Sequence, residues 1–216
     1  MEPARDCALC PRLARFREAN REREPDWHNA PVASFGSKAA ELLIVGLAPG
    51  LKGANRTGRP FTGDYAGDLL YATLLEHGFA RGSYRAIADD GLHLIGTRIT
   101  NAVRCVPPEN KPTPLEATNC RQFLSRTLGE MSALRAILAL GRIAHDNVLT
   151  ALALRRADFP FRHAAAHDVR AGLRLYDSYH CSRYNTNTGV LTPDMFNAVL
   201  EGIRRNLSAD QKGKWS

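Results

Sequence analysis

Residues 41–68, ELLIVGLAPGLKGANRTGRPFTGDYAGD, constrain the fold more than any other stretch of this chain. The short branched run at 42–45, LLIV, predicts a buried strand. Gly46 then opens a loop of about 20 residues, a length that in compact domains marks either function or disorder. It holds Gly50, Gly53, Gly58 and Gly63, with Pro49 and Pro60 between them. Glycine lets backbone approach a ligand closely, and proline limits how far the loop wanders. A helix is expected over residues 67–77, where Leu69, Leu70, Leu74 and Leu75 recur at helical spacing. Strand, loop and helix in that order put the loop at the carboxyl end of the strand, where parallel α/β sheets bind ligands.

Three further strands are expected, at about 96–103, 134–140 and 173–179. The second delivers Asn101 and Arg104 to its end, and 107–114, PPENKPTP, must run extended because its prolines block a helix. Thr113 is placed to cap a helix from Pro114 to about Met131. Further helices are expected at 11–23, from Gly141 to about Leu154, and at 193–206, while 155–172 reads as a basic loop. Strands alternating with helices predict an α/β fold, a three-layer αβα sandwich around a four-stranded parallel sheet. One domain over 1–207 is expected, with a flexible tail at 208–216. No apolar run is long enough for a bilayer and none follows a basic start, so the reading is a monomer of the cytosol with no membrane partner.

The five cysteines narrow the chemistry. Cys7 and Cys10 form a C-x2-C pair, Cys105 and Cys120 a wider one, and Cys181 stands alone. Disulfides are not expected in the cytosol. Two such pairs suit zinc or a 4Fe–4S cluster, between which spacing does not choose; unliganded buried thiols are the plain alternative. The net charge of +7, from 29 Lys and Arg against 22 Asp and Glu, is compatible with a nucleic-acid partner and equally with an Arg-rich proteome. The first loop lacks the Gly-Lys-Ser/Thr ending of a P-loop, and neither a G-x-S-x-G elbow nor a G-x-G-x-x-G turn is present.

Four segments carry a resemblance: GLAPG (46–50), GANRTGRPFTGD (53–64), NAVRC (101–105) with NKPTP behind it, and HCSRYNTNTG (180–189). They resemble family 5 of the uracil-DNA glycosylase superfamily, the iron–sulfur type B enzymes. Family 4 shares the core but carries Glu where Leu47 stands here. The resemblance implies a 4Fe–4S cluster on Cys7, Cys10, Cys105 and Cys120, and DNA crossing the carboxyl edge of the sheet. It implies hydrolysis of the N-glycosidic bond of uracil and other deaminated or damaged bases, leaving an abasic site. Asp64 would orient the attacking water and His180 would stabilise the departing base. Gly46, Ala48, Phe61, Asn101 and Ser182 would bind the extruded base, and Arg183, Tyr184 and Asn185 the DNA, with Lys52, Arg56 and Arg59 as further candidates. Asp68 is expected to cap or line the helix start, and His145, His163 and His167, which match no motif, to lie at the surface. Cys181 departs from the proline usual after the histidine. A cluster-bearing protein that binds nucleic acid or senses damage without cleaving is the alternative.

Overall fold

The computed structural model describes residues 2–212. In chain order the elements are α1 (Pro11–Arg23), β1 (Phe35–Gly36), β2 (Leu42–Gly46), α2 (Ala54–Thr57), α3 (Tyr65–Glu76), β3 (Ala80–Arg81), β4 (His93–Leu94), β5 (Thr97–Asn101), α4 (Pro114–Glu130), β6 (Ala136–Leu140), α5 (Arg142–Ala151), β7 (Ala166–Arg170), β8 (Leu173–Ser178), α6 (Arg183–Asn187) and α7 (Pro193–Lys212). The main sheet runs β1-β5-β2-β6-β8-β7. Its four central strands are parallel, as the alternation with helices predicts.

The alternation of side chains along these strands builds the layers. Leu42 and Ile44 of β2, with Leu138 of β6, pack against Leu70 and Leu74 of α3 and Phe196 and Leu200 of α7. Leu43 and Val45, with Ile137, face the other way onto Leu124 of α4 and Val148 of α5. Every residue of β2, β5 and β6 is buried; β2 and β6 accordingly read as near-continuous apolar runs, whereas β5 buries mostly polar side chains.

Two antiparallel edge strands widen the sheet from the expected four strands to six. One of them, β7, lies inside the segment expected to be loop. It pairs on one side only, is mostly solvent-facing and carries a bulge between Asp168 and Arg170, so it lacks the apolar alternation of an inner strand. The PPENKPTP segment contains a 3-10 turn at Pro108–Asn110, with Glu109 and Asn110 both at positive φ. Helix α7 continues past residue 206 to Lys212; of the expected tail, 213–216 lie outside the described residues.

The polar amino segment is held by charge and by one apolar contact. Arg12 forks onto Glu116 at 2.8 and 2.7 Å, and Glu116 completes a capping box with Thr113. Leu13 is buried against Val103 and Cys120. Arg104, expected at the strand end, is instead fully buried and paired with Glu2 at 2.8 Å.

Candidate active site

A cleft of about 560 Å³ opens at the carboxyl ends of β2, β5 and β8, and Ala48, Phe61, Asp64, Asn101, His180 and Ser182 all line it. The loops after β2 and β5 are zipped together by hydrogen bonds from Ala102 N to Gly46 O and from Val103 N to Leu47 O, both 2.9 Å. Gly46 lies beneath the floor. A Cβ there would overlap Asn101 Oδ1 and come within 2.5 Å of the tip of the Phe61 ring, so only glycine fits. Asn101 is 3 % exposed and its Oδ1 has no hydrogen-bond partner. A buried acceptor left unmade costs about 1–3 kcal/mol, so this atom marks a place for a donor from outside. Phe61 sits at φ 53°, a backbone conformation that costs a side-chain-bearing residue about 1–2 kcal/mol. It is packed into the core and still presents ring to the cleft, 6.1 Å from the His180 ring.

Asp64, rather than Asp68, caps α3. Its Oδ1 accepts from Gly67 N at 3.3 Å, while Asp68 is exposed in the first turn. The other oxygen, Oδ2, is wrapped by the glycine loop: a Cβ on Gly50 would stand 2.8 Å from it, and one on Gly53 would overlap it. Burial raises the Asp64 pKa, opposed by the amides of Gly67 and Ala66 and assisted by the charge of Asp68. His180 is half-buried and its ring makes no hydrogen bond within the described residues. Burial lowers its pKa, so at neutral pH it is a neutral imidazole with one N–H to donate.

The three residues expected at DNA divide. Arg183 lies 5.3 Å over the ring of Tyr65, and Tyr184 is 73 % exposed. The Asn185 side chain instead turns inward and donates to His180 O at 2.8 Å, bracing the loop that carries the imidazole. Ser182 caps the short α6, accepting from Asn185 N at 3.4 Å. Lys52 lines the cleft and Arg56 is exposed, but Arg59 is buried in an ion pair with Asp90 and faces no partner outside the protein. Tyr65 and Asn110 also line the cleft and went unread in the sequence. For Tyr65 the available signal was an aromatic residue directly after the acid of the glycine loop.

The expectation of surface histidines fails at His145, which is 1 % exposed. Its Nδ1 donates to Asp177 at 2.6 Å and its Nε2 to the Phe159 carbonyl at 2.8 Å, so both bonds require the doubly protonated ring. Burial opposes that charge, and the hydrogen bond and charge of Asp177 outweigh it, raising the His145 pKa. His167, mostly buried, reaches the same carboxylate at 3.3 Å. These three ligand atoms lie within 4.8 Å of one another. The 2.6 Å contact is nonetheless shorter than the roughly 3.3 Å between two ligands held about 2.0 Å from a tetrahedral ion, so it is a charge-assisted hydrogen bond rather than a pair of metal ligands. His163 is half-buried, stacked on Tyr179 with centroids 5.0 Å apart.

Cys7, Cys10, Cys105 and Cys120 line one hollow, walled by Leu13, Val103 and Phe123. Their sulfurs are approached by N–H donors, Arg104 N at 3.3 Å from Cys120 and the Arg17 guanidinium at 4.0 Å from Cys105. Burial pushes Cys105 up to about 12 and Cys120 up to about 11, and raises Cys10. As free thiols they would stay protonated; a bound cation is what makes such buried sulfurs thiolates. Cys181 is fully buried beside the cleft and apart from this set.

Known proteins resemble this chain over most of its length. The family model described as "Uracil DNA glycosylase superfamily" matches residues 33–204. A type-5 uracil-DNA glycosylase of Thermus thermophilus is 46 % identical over 205 residues, 92 % of this chain and 93 % of the relative. One from Pyrobaculum aerophilum is 40 % identical over 199 residues, 90 % and 86 % of the two chains. A type-4 uracil-DNA glycosylase of Archaeoglobus fulgidus matches only 114 residues, 52 % of this chain and 49 % of its own, at 37 % identity.

Proposed function

The chain belongs to the uracil-DNA glycosylase superfamily, in its type-5 group, and from that premise we propose that it excises uracil from DNA by hydrolysing the N-glycosidic bond, the opening step of base-excision repair. The observation that carries the site assignment is the unpaired Asn101 Oδ1 on the floor of a cleft that Asp64 and His180 also line. A nucleotide turned out of the duplex enters that cleft. Asn101 Oδ1 accepts the imide N–H of uracil, a donor that cytosine lacks at the same ring position. The Phe61 ring supports the base, while Arg183 and Tyr184 meet the DNA at the rim.

Cleavage breaks the bond between the sugar C1′ and the base nitrogen as water oxygen bonds to C1′. Asp64, ionised, orients that water, accepts its proton and stabilises positive charge on the sugar. The electron pair leaves with the base, and the His180 N–H stabilises the anion at its carbonyl oxygen, a charge that the ground state does not carry. Ala48 offers no acid or amide, so water activation rests on Asp64. A base floor made of backbone and one amide is permissive, which supports action on other deaminated or etheno bases as well.

Cys7, Cys10, Cys105 and Cys120 would hold a 4Fe–4S cluster, which ties the amino segment to the loop after β5 and supplies no electrons to a hydrolysis. The protein is read as a monomer acting in the cytosol. No helix among the described residues is long and apolar enough to cross a membrane. The inactive-binder alternative has no support among the relatives, which are named as glycosylases. Single-turnover release from uracil-containing duplex tests the base seat: Asn101→Ala is expected to slow it by about 10–100-fold, the scale of a buried hydrogen bond made to a substrate. Unchanged release would remove Asn101 from the site.

A further inference from the structure

Phe61 holds a left-handed backbone that few residues with side chains adopt, so its surroundings must hold it there. The hydroxyl of Tyr84 spans the turn. It donates to Phe61 O at 3.3 Å and accepts from Gly63 N at 3.4 Å, using one hydrogen and one lone pair. Gly67 leaves the room for this: a Cβ there would overlap Phe61 O and stand 2.5 Å from the Tyr84 hydroxyl. The segment carrying Tyr84 is fixed in turn. Asp90 accepts from Arg85 N and Leu92 N, both at 3.0 Å, and takes both ends of the Arg59 guanidinium at 2.8 and 2.7 Å. That guanidinium lies 5.3 Å over Tyr71 and 5.8 Å over Tyr84, whose rings stack with centroids 4.6 Å apart. Two residues of the glycine loop, Arg59 and Phe61, are thus anchored to a segment with no motif of its own.

We propose that Tyr84 is a positioning residue for base excision, its hydroxyl clamping the Phe61 carbonyl and the Gly63 amide so that the phenyl ring is aimed at the extruded base. The inference deepens the excision reading above and rests on it. Tyr84→Phe keeps the ring, its stack on Tyr71 and its contact with Arg59, and removes only the two hydrogen bonds across the turn.

The test compares wild type, Tyr84→Phe, Phe61→Ala and the double variant of the intact protein in single-turnover release of uracil, with duplex binding followed separately by fluorescence anisotropy. Tyr84→Phe is expected to slow release about tenfold, the scale of one ordinary hydrogen bond, while leaving duplex affinity within about twofold. Because it acts through the ring, it should slow Phe61→Ala no further, a coupling that a general loss of stability would not produce. Full wild-type release by Tyr84→Phe, or losses that multiply in the double variant, would overturn the inference and leave the excision reading standing. A wild type that releases no uracil would overturn both.

Discussion

Asp64 divides one carboxylate between two tasks: Oδ1 caps α3 and Oδ2 lies in the glycine loop beside the cleft. Burial raises its pKa from the ordinary 3.8, so the ionised form that handles water is lost at a higher pH than for a free aspartate. Single-turnover release is therefore expected to rise with pH along an acid limb whose midpoint lies above 3.8. Asp64→Asn should abolish the limb and slow release by about 10²–10⁴-fold, the range for losing a general base. A pH profile that Asp64→Asn leaves unchanged would remove the carboxylate from the chemistry. Asp64, Phe61, Asn101 and His180 are legible from sequence because each sits in a short motif. Which of Asp64 and Asp68 caps the helix is not, since that depends on where the first helical turn begins. The burial of His145 and of Arg59 is equally hidden, because their partners Asp177 and Asp90 lie 32 and 31 residues away.

Between elements, the His145–Asp177 pair fastens α5 to β8, three residues before His180. The folded His145 pKa is raised above 6.5, so the stability it adds is complete below 6.5 and disappears as pH climbs through the raised value. Thermal melts should therefore fall as pH rises above 6.5, and His145→Gln should be less stable at pH 6 and lose that slope. A wild-type slope retained in His145→Gln would contradict the charged pair. The same scale separates what is readable in the strands. The runs LLIV and AILAL are apolar because neighbours cover both faces, so they announce themselves. β1 is two residues long, and β7 is polar with one neighbour, so neither leaves a pattern to find.

Across the whole molecule, the polar amino segment meets the loop after β5 and helix α4: Cys7 and Cys10 share one hollow with Cys105 and Cys120, and Arg12 pairs with Glu116. Helix α1 buries only Leu13, Arg17 and Asn20, too little apolar surface to stay docked unaided. Cys105→Ser should bleach the expected brown colour and lower Tm by roughly 5–10 °C, taking roughly 2–3 kcal/mol for a lost cross-link at about 2–4 °C per kcal/mol. A colourless wild type holding zinc would replace the cluster with a single ion. Side chains from the ends of β5 and β8 and from the glycine loop are expected to act together on one extruded base. Single-turnover release of uracil from one duplex by wild type and His180→Ala decides whether they do. Wild type should leave an alkali-labile site at each uracil, with His180→Ala about 10²–10³-fold slower at undiminished duplex affinity, as for loss of a donor to a developing anion. Equal rates for the two proteins would contradict that joint action.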